Sequence, residues 1–189
     1  MRQKLKKSKV IQPLRLDIGC GPNKKEGFTG VDQYKFPGVD VVCDLKKKWP
    51  FNDNTVDEIH CSHVIEHFTG VERCHIYNEM YRVMKVGAKA SLIAPYWGSG
   101  RAYGDPTHCW PPISDFSFYY LLKSWRAANA PHSDAEHWPE GYKCDFDATW
   151  GYSLHPTLTT RNQEYQQHAV TFFKEAVQDV IYNLVKRAP

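Results

Sequence analysis

The sequence predicts an α/β protein built around a doubly wound, largely parallel sheet. Short apolar segments recur along the first hundred residues, most of them closing on a polar or acidic residue, and a segment with helical periodicity follows the fourth. Strands that alternate with helices or crossover loops are typical of parallel sheets. A length of 189 residues with 42% hydrophobic residues suffices for one core. We therefore expect a single domain over residues 1–189.

A glycine-rich turn separates the first two predicted strands. Leu14–Ile18 and Phe28–Asp32 are apolar segments, and Gly19 and Gly21 follow directly after the first of them. Glycine lets the backbone approach a ligand where a side chain would collide, and a carboxylate such as Asp32 at the end of the second strand can accept hydrogen bonds from both ribose hydroxyls. The pattern indicates a site for a cofactor that contains adenosine.

The interval between these strands argues against a dinucleotide. Dinucleotide sites have a third glycine, a full helix at the pyrophosphate and an acid about 20 residues downstream. Here the third glycine position holds Lys24, and Asp32 follows Gly21 by only 11 residues. Pro22 and Gly27 leave room for one loose helical turn at most. S-adenosylmethionine has ribose and adenine but no phosphate, so the spacing favours it over NAD and FAD.

Further strands follow in order along the chain. Val39–Asp44 and Val56–Ser62 are the third and fourth apolar segments, and Ala90–Ala94 is the fifth. Near the C-terminus, Gln163–Lys174 has a helical pattern. Val177–Lys186 is rich in β-branched and aromatic residues and is interpreted as a last strand, with a continuous helix as the alternative.

Two helices are predicted between these strands and the C-terminal elements. Thr69 and Glu72 have the spacing of a capping box, apolar residues recur on one face of the following segment, and Gly87 marks the expected end. Ser114–Ala128 also has a helical pattern and presents several aromatic side chains.

Composition limits the classes of partner. The net charge of +3 comes largely from a basic tail over residues 1–12 and from Lys46–Lys48, and we interpret it as solvated surface charge. No apolar run is long enough to span a bilayer, and no signal peptide pattern is present, so a cytoplasmic protein is expected. The six cysteines form no CxxC pair, and a reduced, buried state is expected for them.

Five motifs occur in order between residues 14 and 95. They are Leu16–Gly21, Gly30–Asp32, Trp49–Asp57, Ser62–Phe68 and Glu79–Gly87. Together they resemble the class I S-adenosylmethionine-dependent methyltransferases, and most closely the type 11 group in a compact form with a short first crossover. The resemblance implies a Rossmann-like, mostly parallel sheet with an antiparallel last strand. Two departures are Val86-Gly87-Ala88 in place of the usual Pro-Gly-Gly and a nearly absent first helix.

The resemblance also implies a set of cofactor-binding residues. The glycine turn and Asp17 would line the methionine part, Asp32 the ribose, and Asp44 with Leu45 the adenine. A turn-stabilising role is the alternative for Asp32 and for Asp44. The complete set is Asp17, Gly19, Cys20, Gly21, Asp32, Gln33, Asp44, Leu45, Ser62 and His63.

Histidines are the candidate catalytic residues, because imidazole accepts a proton near neutral pH. His63 follows the fourth strand, where the family places the reactive methyl group, and is ranked first. His108 is ranked second and could be oriented by Asp105, although an Asp-Pro-Thr-His segment is also ordinary turn chemistry. The pair Glu66-His67 is a family signature whose structural alternative is helix capping and packing.

Residues 96–165 are expected to form a substrate-facing insertion. Five of the six tryptophans fall there, although aromatic side chains more often build core than a ligand pocket. The residues His132–His137, with His108, Cys109 and Cys144, include metal-ligating types. Their spacing matches no standard zinc pattern, so a polar loop and no bound metal are expected.

The sequence narrows the acceptor. Enzymes that methylate exocyclic amines of bases have Asn or Asp followed by Pro-Pro and an aromatic residue after the fourth strand, where this chain has Cys61–Val64. A Pro-Cys pair for attack on cytosine is also absent, and no basic groove is evident, which argues against nucleic acid. Methyl transfer to an O or N atom of a small molecule, glycan or protein is expected, with S-adenosylhomocysteine as product. The alternatives are a non-catalytic cofactor-binding regulatory module and a structural partner that only inherits the fold.

Overall fold

A computed structural model describes residues 12–133, 137 and 141–189 of the chain. Within these residues, seven strands form one mixed sheet. They are β1 (Arg15–Ile18), β2 (Thr29–Asp32), β3 (Val41–Val42), β4 (Val56–Ser62), β5 (Met84–Pro95), β6 (Phe146–Leu154) and β7 (Val177–Lys186). Their spatial order is β3-β2-β1-β4-β5-β7-β6. Strands β1 to β5 are parallel, and β7 pairs antiparallel with both β5 and β6. The predicted α/β class and antiparallel last strand are confirmed.

Helices lie mainly in the second half of the described chain. They are α1 (Gly70–Val83), α2 (Arg101–Gly104), α3 (Asp115–Tyr119), α4 (Lys123–Asn129) and α5 (Gln163–Phe172), with 3-10 turns at Ile65–His67 and Pro156–Leu158. The connections from β1 to β2, β2 to β3 and β3 to β4 contain no helix, as the short first crossover predicted. Among the described residues, none of the helices combines the length and apolar character that crossing a membrane requires.

The core lies between the sheet and α1. Cys61, Leu92 and Tyr182 are side by side in the registers of β4, β5 and β7, and all three are almost fully buried. They belong to the same buried cluster as Tyr77 and Met80 of α1. Burial of this apolar surface is the main force that holds the helix on the sheet.

The N-terminus of α1 has the predicted capping box. The Thr69 side chain accepts from the Glu72 backbone N–H, and Glu72 Oε2 accepts from the Thr69 backbone N–H at 2.8 Å. These two bonds satisfy donors that have no partner inside the helix. The capping box therefore fixes the start of α1 shortly after the 3-10 turn Ile65–His67.

Replacing Thr69 by alanine is expected to lower the free energy of unfolding by about 1 kcal/mol, because the Glu72 amide loses its side-chain acceptor. Urea unfolding followed by circular dichroism measures the change. Thr171→Ala is the matched control, since the Thr171 hydroxyl donates to the Gln167 carbonyl within α5 and caps no helix. Equal losses in both variants would mean that the cap has no specific effect.

Three predicted boundaries in the first half are wrong. Strand β3 is reduced to Val41–Val42 rather than Val39–Asp44. Helix α1 ends at Val83 and passes directly into β5, so Gly87 does not end the helix. Gly87 instead has a φ of 79° within an irregular stretch of β5, where the pairing with β4 shifts register. The predicted strand Ala90–Ala94 is consequently only the regular part of β5.

Two predictions in the second half also need correction. The segment Ser114–Ala128 is not one helix but α3 and α4, which are separated at residues 120–122. Strand β6, which lies within residues 96–165, was not predicted, and it adds an edge strand to the sheet. The basic tail at residues 1–11 and Asp134–Glu136 of the polar loop lie outside the described residues. All six cysteines have free thiols, and four of them are buried as expected, but Cys20 and Cys109 are only partly buried because both lie in loops.

Candidate active site

A cavity of about 210 Å³ opens where the carboxyl ends of β1, β2 and β4 meet. In open parallel sheets this edge is where ligands bind. The residues that line the cavity are Gly19, Asp32, Gln33, Tyr34, Phe36, Leu45, His63, Val64, His67 and Phe68. Five members of the predicted cofactor set therefore meet at one place, namely Gly19, Asp32, Gln33, Leu45 and His63.

Gly19 lines this cavity at a position where a residue with a Cβ would collide with Val64. Its φ is 67°, and a Cβ at this position would lie 2.2 Å from Cγ2 of Val64. Its backbone N–H donates to the Val31 carbonyl at 2.7 Å, which joins the end of β1 to β2. The turn thus brings bare backbone to the cavity, as expected for close approach to a ligand.

Asp32 connects the glycine turn to the loop after β2. Its Oδ2 accepts from the Gly21 N–H and its Oδ1 from the Tyr34 N–H, both at 2.9 Å. The residue is only 8% exposed, yet it lines the cavity. Each carboxylate oxygen has a second lone pair, so the same side chain can accept hydrogen bonds from the hydroxyls of a ligand.

The other predicted carboxylates hold loops. Asp17 is buried and accepts from the Lys25 N–H at 2.7 Å, which fixes the loop that follows the glycine turn. Asp44 accepts from the Lys46 N–H at 3.0 Å, and this bond is the main cause of the lowered pKa of the Asp44 carboxyl. Neither lines the cavity, and Asp44 has the contacts of a turn acid. Cys20, Gly21 and Ser62 are likewise absent from the lining.

Several apolar lining residues were not predicted. Tyr34 and Phe36, which follow directly after β2, are 62% and 38% exposed, and their ring centroids lie 6.1 Å apart. Val64 and Phe68 come from the segment after β4. The signal in the sequence was the pair of aromatic residues just beyond Asp32, at a position where no core demands them.

A second cavity of about 610 Å³ adjoins the first. It is lined by His63, Glu66, His67, Pro95, Arg101, Gly104, Asp105, Pro106 and His108. Because His63 and His67 line both cavities, the two spaces meet at these imidazoles. The two predicted catalytic histidines, His63 and His108, therefore lie on the same cavity.

His63 has a strained backbone and a charged environment. Its φ is 56°, a conformation that non-glycine residues seldom adopt and that is concentrated at functional sites. Its Nδ1 lies 3.4 Å from Glu66 Oε1, and its Nε2 lies 3.9 Å from Asp179 Oδ1. Interaction of the protonated ring with Glu66, aided by the charge of Asp179, raises the pKa of His63 against the opposing effect of burial. Two carboxylates thus favour the imidazolium form.

His108 and His67 are neighbours. Their ring centroids lie 4.8 Å apart, and Nδ1 of His108 is 3.2 Å from the Ala102 carbonyl oxygen. The predicted orienting group, Asp105, is 3.9 Å from His108 Nε2, too far for a hydrogen bond. Asp105 accepts instead from the hydroxyl and the backbone N–H of Thr107, so it shapes the turn.

A buried arginine holds this arrangement together. Arg73 of α1 is 5% exposed, and its guanidinium donates only to backbone carbonyls. The acceptors are the carbonyl oxygens of Ile65, Glu66, Cys109 and Pro111. In addition, the Cys109 N–H donates to the Glu66 carbonyl at 2.8 Å. The turn after β4 and the segment around His108 are thereby fixed to each other.

The aromatic side chains of residues 96–165 divide between core and cavity. Phe118 is 1% exposed and packs with its ring centroid 4.1 Å from Trp150, so it belongs to the core. Phe116, Tyr120 and Tyr142 line a separate cavity of about 460 Å³ that also contacts Arg73 and Tyr77. The predicted preference of aromatics for the core therefore holds for some of them and not for others.

Comparisons with known proteins agree with this fold. A family model described as a methyltransferase domain matches residues 23–92, from the turn before β2 into β5. No curated protein sequence matches the chain significantly. A S-adenosylmethionine-dependent methyltransferase from Archaeoglobus fulgidus has a similar structure, with a TM-score of 0.68 and 20% identity over 92% of this chain and 86% of that one.

Two further solved structures are similar at lower identity. A Burkholderia thailandensis 1,6-didemethyltoxoflavin N1-methyltransferase, solved with its acceptor and S-adenosylhomocysteine, has a TM-score of 0.57 and 11% identity, covering 94% of this chain and 72% of that one. The [4+2]-cyclase SpnF has a TM-score of 0.52 and 17% identity, covering 95% and 78%. These likenesses show the shared fold. Residues 23–92 thus match a methyltransferase domain, and the described chain has the fold of S-adenosylmethionine-dependent methyltransferases.

Proposed function

We propose that the chain uses S-adenosylmethionine to methylate an O or N atom of a small-molecule or sugar-like acceptor, and that S-adenosylhomocysteine is released. The observation that carries the proposal is the junction of two cavities at His63 and His67. One cavity has the glycine wall and the acidic residue that suit an adenosine-containing cofactor. The other is lined by polar groups that suit a hydroxylated or amine acceptor.

The residues of the first cavity fit the cofactor. Gly19 provides bare backbone, and Asp32 retains lone pairs for the ribose hydroxyls. Leu45 and the aromatic pair Tyr34 and Phe36 offer apolar surface for the adenine ring. Asp17, Cys20, Gly21, Asp44 and Ser62 then act by holding the loops around the cofactor rather than by lining it.

The chemistry asked of the protein is limited. S-adenosylmethionine supplies a methyl group on a sulfonium that is already an excellent leaving group. The protein must align the acceptor and, for a hydroxyl or protonated amine, take up a proton. We assign His63 as the base, because it lies at the junction and two carboxylates stabilise its protonated form. His108, which lines the second cavity beside His67, is the second candidate.

The second cavity suggests the acceptor class. Its lining contains acidic, basic and imidazole groups from Glu66, Arg101, Asp105 and His108 beside two prolines. Such a surface recognises an acceptor by hydrogen bonds, as a sugar-like or other polyhydroxylated molecule would require. We propose that the part of residues 96–165 before β6 provides this acceptor-facing surface.

Asp32→Ala tests the cofactor site. We expect the variant to bind S-adenosylmethionine and S-adenosylhomocysteine at least tenfold more weakly than the wild type, a loss of about 1.4 kcal/mol, measured by calorimetric titration. Asp53→Ala is the matched control, because Asp53 is an exposed acid that pairs with Arg82 and does not line the cavity. Circular dichroism checks that both variants fold.

The outcomes separate the proposal from its alternatives. No binding by the wild type would refute the cofactor assignment and leave the fold as a structural partner. Tight binding without turnover of any hydroxyl or amine acceptor would instead favour a regulatory cofactor-binding module. Turnover that is lost in His63→Ala, with cofactor binding retained, is the result expected for a base at the cavity junction.

A further inference from the structure

The turn after β4 and the loop before α3 bring three metal-ligating side chains together. One ligand atom from each of Glu66, His67 and His108 lies within 4.8 Å of the others. Ligand atoms bonded to one ion at about 2.0–2.2 Å are separated by about 3.0–4.2 Å, so small side-chain movements would close the group around a cation. The sequence did not predict this group, because His108 is 41 positions from His67 and matches no ligand spacing.

Hydrogen bonds fix the tautomers of both imidazoles. Thr107 Oγ1 donates to Asp105 Oδ1 at 2.7 Å, so its remaining capacity is to accept. His67 Nδ1, 2.9 Å from the same oxygen, must therefore carry the proton that it donates. His108 Nδ1 faces the Ala102 carbonyl oxygen, which can only accept. In each neutral ring Nε2 is thus left with a free lone pair, the state in which histidine binds metals.

The Glu66 carboxylate is buried without hydrogen-bond donors, which independently indicates a bound cation. It is only 4% exposed, and neither carboxylate oxygen has a hydrogen bond. The side chain lines the second cavity, where its nearest cationic group is the His63 ring at 3.4 Å. A buried carboxylate without hydrogen-bond donors is costly, and such charges are normally paired or coordinate a metal.

The backbone around the three residues is built rigidly. Arg73 holds the carbonyls of residues 65, 66, 109 and 111, and the Cys109 N–H bonds to the Glu66 carbonyl. Ligands in metal sites are positioned by such supporting bonds. The supporting contacts here join the two segments that contribute ligands, through residues next to His67 and His108.

We propose that Glu66, His67 and His108 bind one divalent transition-metal ion. Two imidazoles and one carboxylate suit Mn²⁺, Fe²⁺, Co²⁺ or Zn²⁺ and leave coordination positions open. All three ligands line the second cavity. If the proposed function holds, a bound ion would hold an acceptor oxygen there and would lower the pKa of that oxygen. This role extends the proposed function, whereas metal binding itself does not depend on it.

Titration with Co²⁺ tests the site directly. The full chain without a polyhistidine tag is stripped with a chelator and titrated, with calorimetry and the visible absorption of Co²⁺ as readouts. We expect one equivalent to bind, and Glu66→Gln and His108→Ala each to weaken the affinity at least tenfold. His168→Ala, which removes an exposed imidazole from α5, is the matched control and should bind like the wild type.

Stability provides a readout that does not depend on the folding of a single variant. Co²⁺ should raise the melting temperature of the wild type and leave that of Glu66→Gln unchanged, because a ligand stabilises only the protein that binds it. Without metal, Glu66→Gln should melt close to the wild type, because loss of the His63 contact at 3.4 Å and removal of a buried charge oppose each other. A melting temperature far below the wild type's would mean that the His63 contact, rather than a metal, accounts for the buried carboxylate.

Paramagnetic broadening by Mn²⁺ locates the ion in the wild type. The imidazole resonances of His67 and His108 should broaden at substoichiometric Mn²⁺, and those of His168 should stay sharp. Lack of stoichiometric Co²⁺ binding, or binding unaffected by Glu66→Gln, would overturn the site. Titration of the metal-free protein with S-adenosylmethionine keeps the two proposals apart, because cofactor binding without metal binding rejects only the metal site.

Discussion

Arg73→Ala is expected to lower the free energy of unfolding by about 3 kcal/mol or more and to separate the two segments that form the second cavity. The guanidinium is the shared donor for four backbone carbonyls, and it is 5% exposed. Removing it leaves the carbonyl oxygens of Cys109 and Pro111 without their donor and takes one of two donors from those of Ile65 and Glu66. The loss of donors at buried and partly buried carbonyls costs more than the loss of surface hydrogen bonds. Urea unfolding of the variant measures the loss.

A lysine at the same position separates charge from geometry. Arg73→Lys keeps the charge but not the planar fork of donors, so we expect most of the loss to remain. Arg161→Ala is the matched control, because Arg161 is an exposed cation whose guanidinium packs over the Tyr165 ring. An Arg73→Ala variant as stable as this control would show that the two segments hold together without the guanidinium.

Gly19→Ala is expected to lower stability by about 2–3 kcal/mol and to weaken cofactor binding more than tenfold. Part of the cost is the left-handed backbone, which disfavours any residue with a Cβ by about 1–2 kcal/mol. The rest comes from the new Cβ, which would lie 2.2 Å from Cγ2 of Val64. Chemical denaturation and calorimetric titration with S-adenosylhomocysteine measure the two effects.

Alanine substitutions at other glycines distinguish the cost of the left-handed backbone from the cost of the collision with Val64. Gly21 has a φ of 53°, but a Cβ added there would have no neighbouring atom within 4 Å, so Gly21→Ala should show the backbone cost alone. Gly151 has neither feature and should tolerate alanine. In the double variant with Val64→Ala, the nearest remaining Val64 atom is its Cβ at 3.2 Å, so most of the loss measured relative to Val64→Ala alone should be the backbone cost. Equal losses at Gly19 and Gly21 would argue that Val64 simply moves aside.

The fold was predictable where periodicity was strong. Val56–Ser62 and Val177–Lys186 were predicted with their observed bounds, because their apolar residues alternate or are β-branched. Strand β6 was not predicted because Gly151 and exposed polar residues interrupt the alternation of apolar and polar residues. Its position at the sheet edge also leaves much of it half-exposed. Residues 146–154 form a strand because they pair with β7, and the local sequence pattern does not indicate that pairing.

The site was predictable only in part, because sequence motifs report local chemistry better than distant contacts. The glycine turn and Asp32 were visible since the turn and the acid are close along the chain. The association of Glu66 and His67 with His108 was not, since it depends on Arg73 bonding to two segments far apart in sequence. Asp44 is the opposite case. Its position at a strand end predicted a ligand-binding role, but its carboxylate accepts a hydrogen bond from the Lys46 N–H of its own turn.

The position of β7 has a consequence for how the chain reaches its native state. Among the strands of the described residues, β7 is the last in sequence but lies inside the sheet, and β6 pairs with β7 alone. While the ribosome is still making the chain, β5 must therefore keep an open edge and β6 must stay unattached until residues 177–186 emerge. Parallel pairing of β1 to β5 can begin earlier, because domains form from the N-terminal side during synthesis. Final closure is thus a late event, and a nascent chain stalled before residue 177 exposes the flank of β5 to other strands.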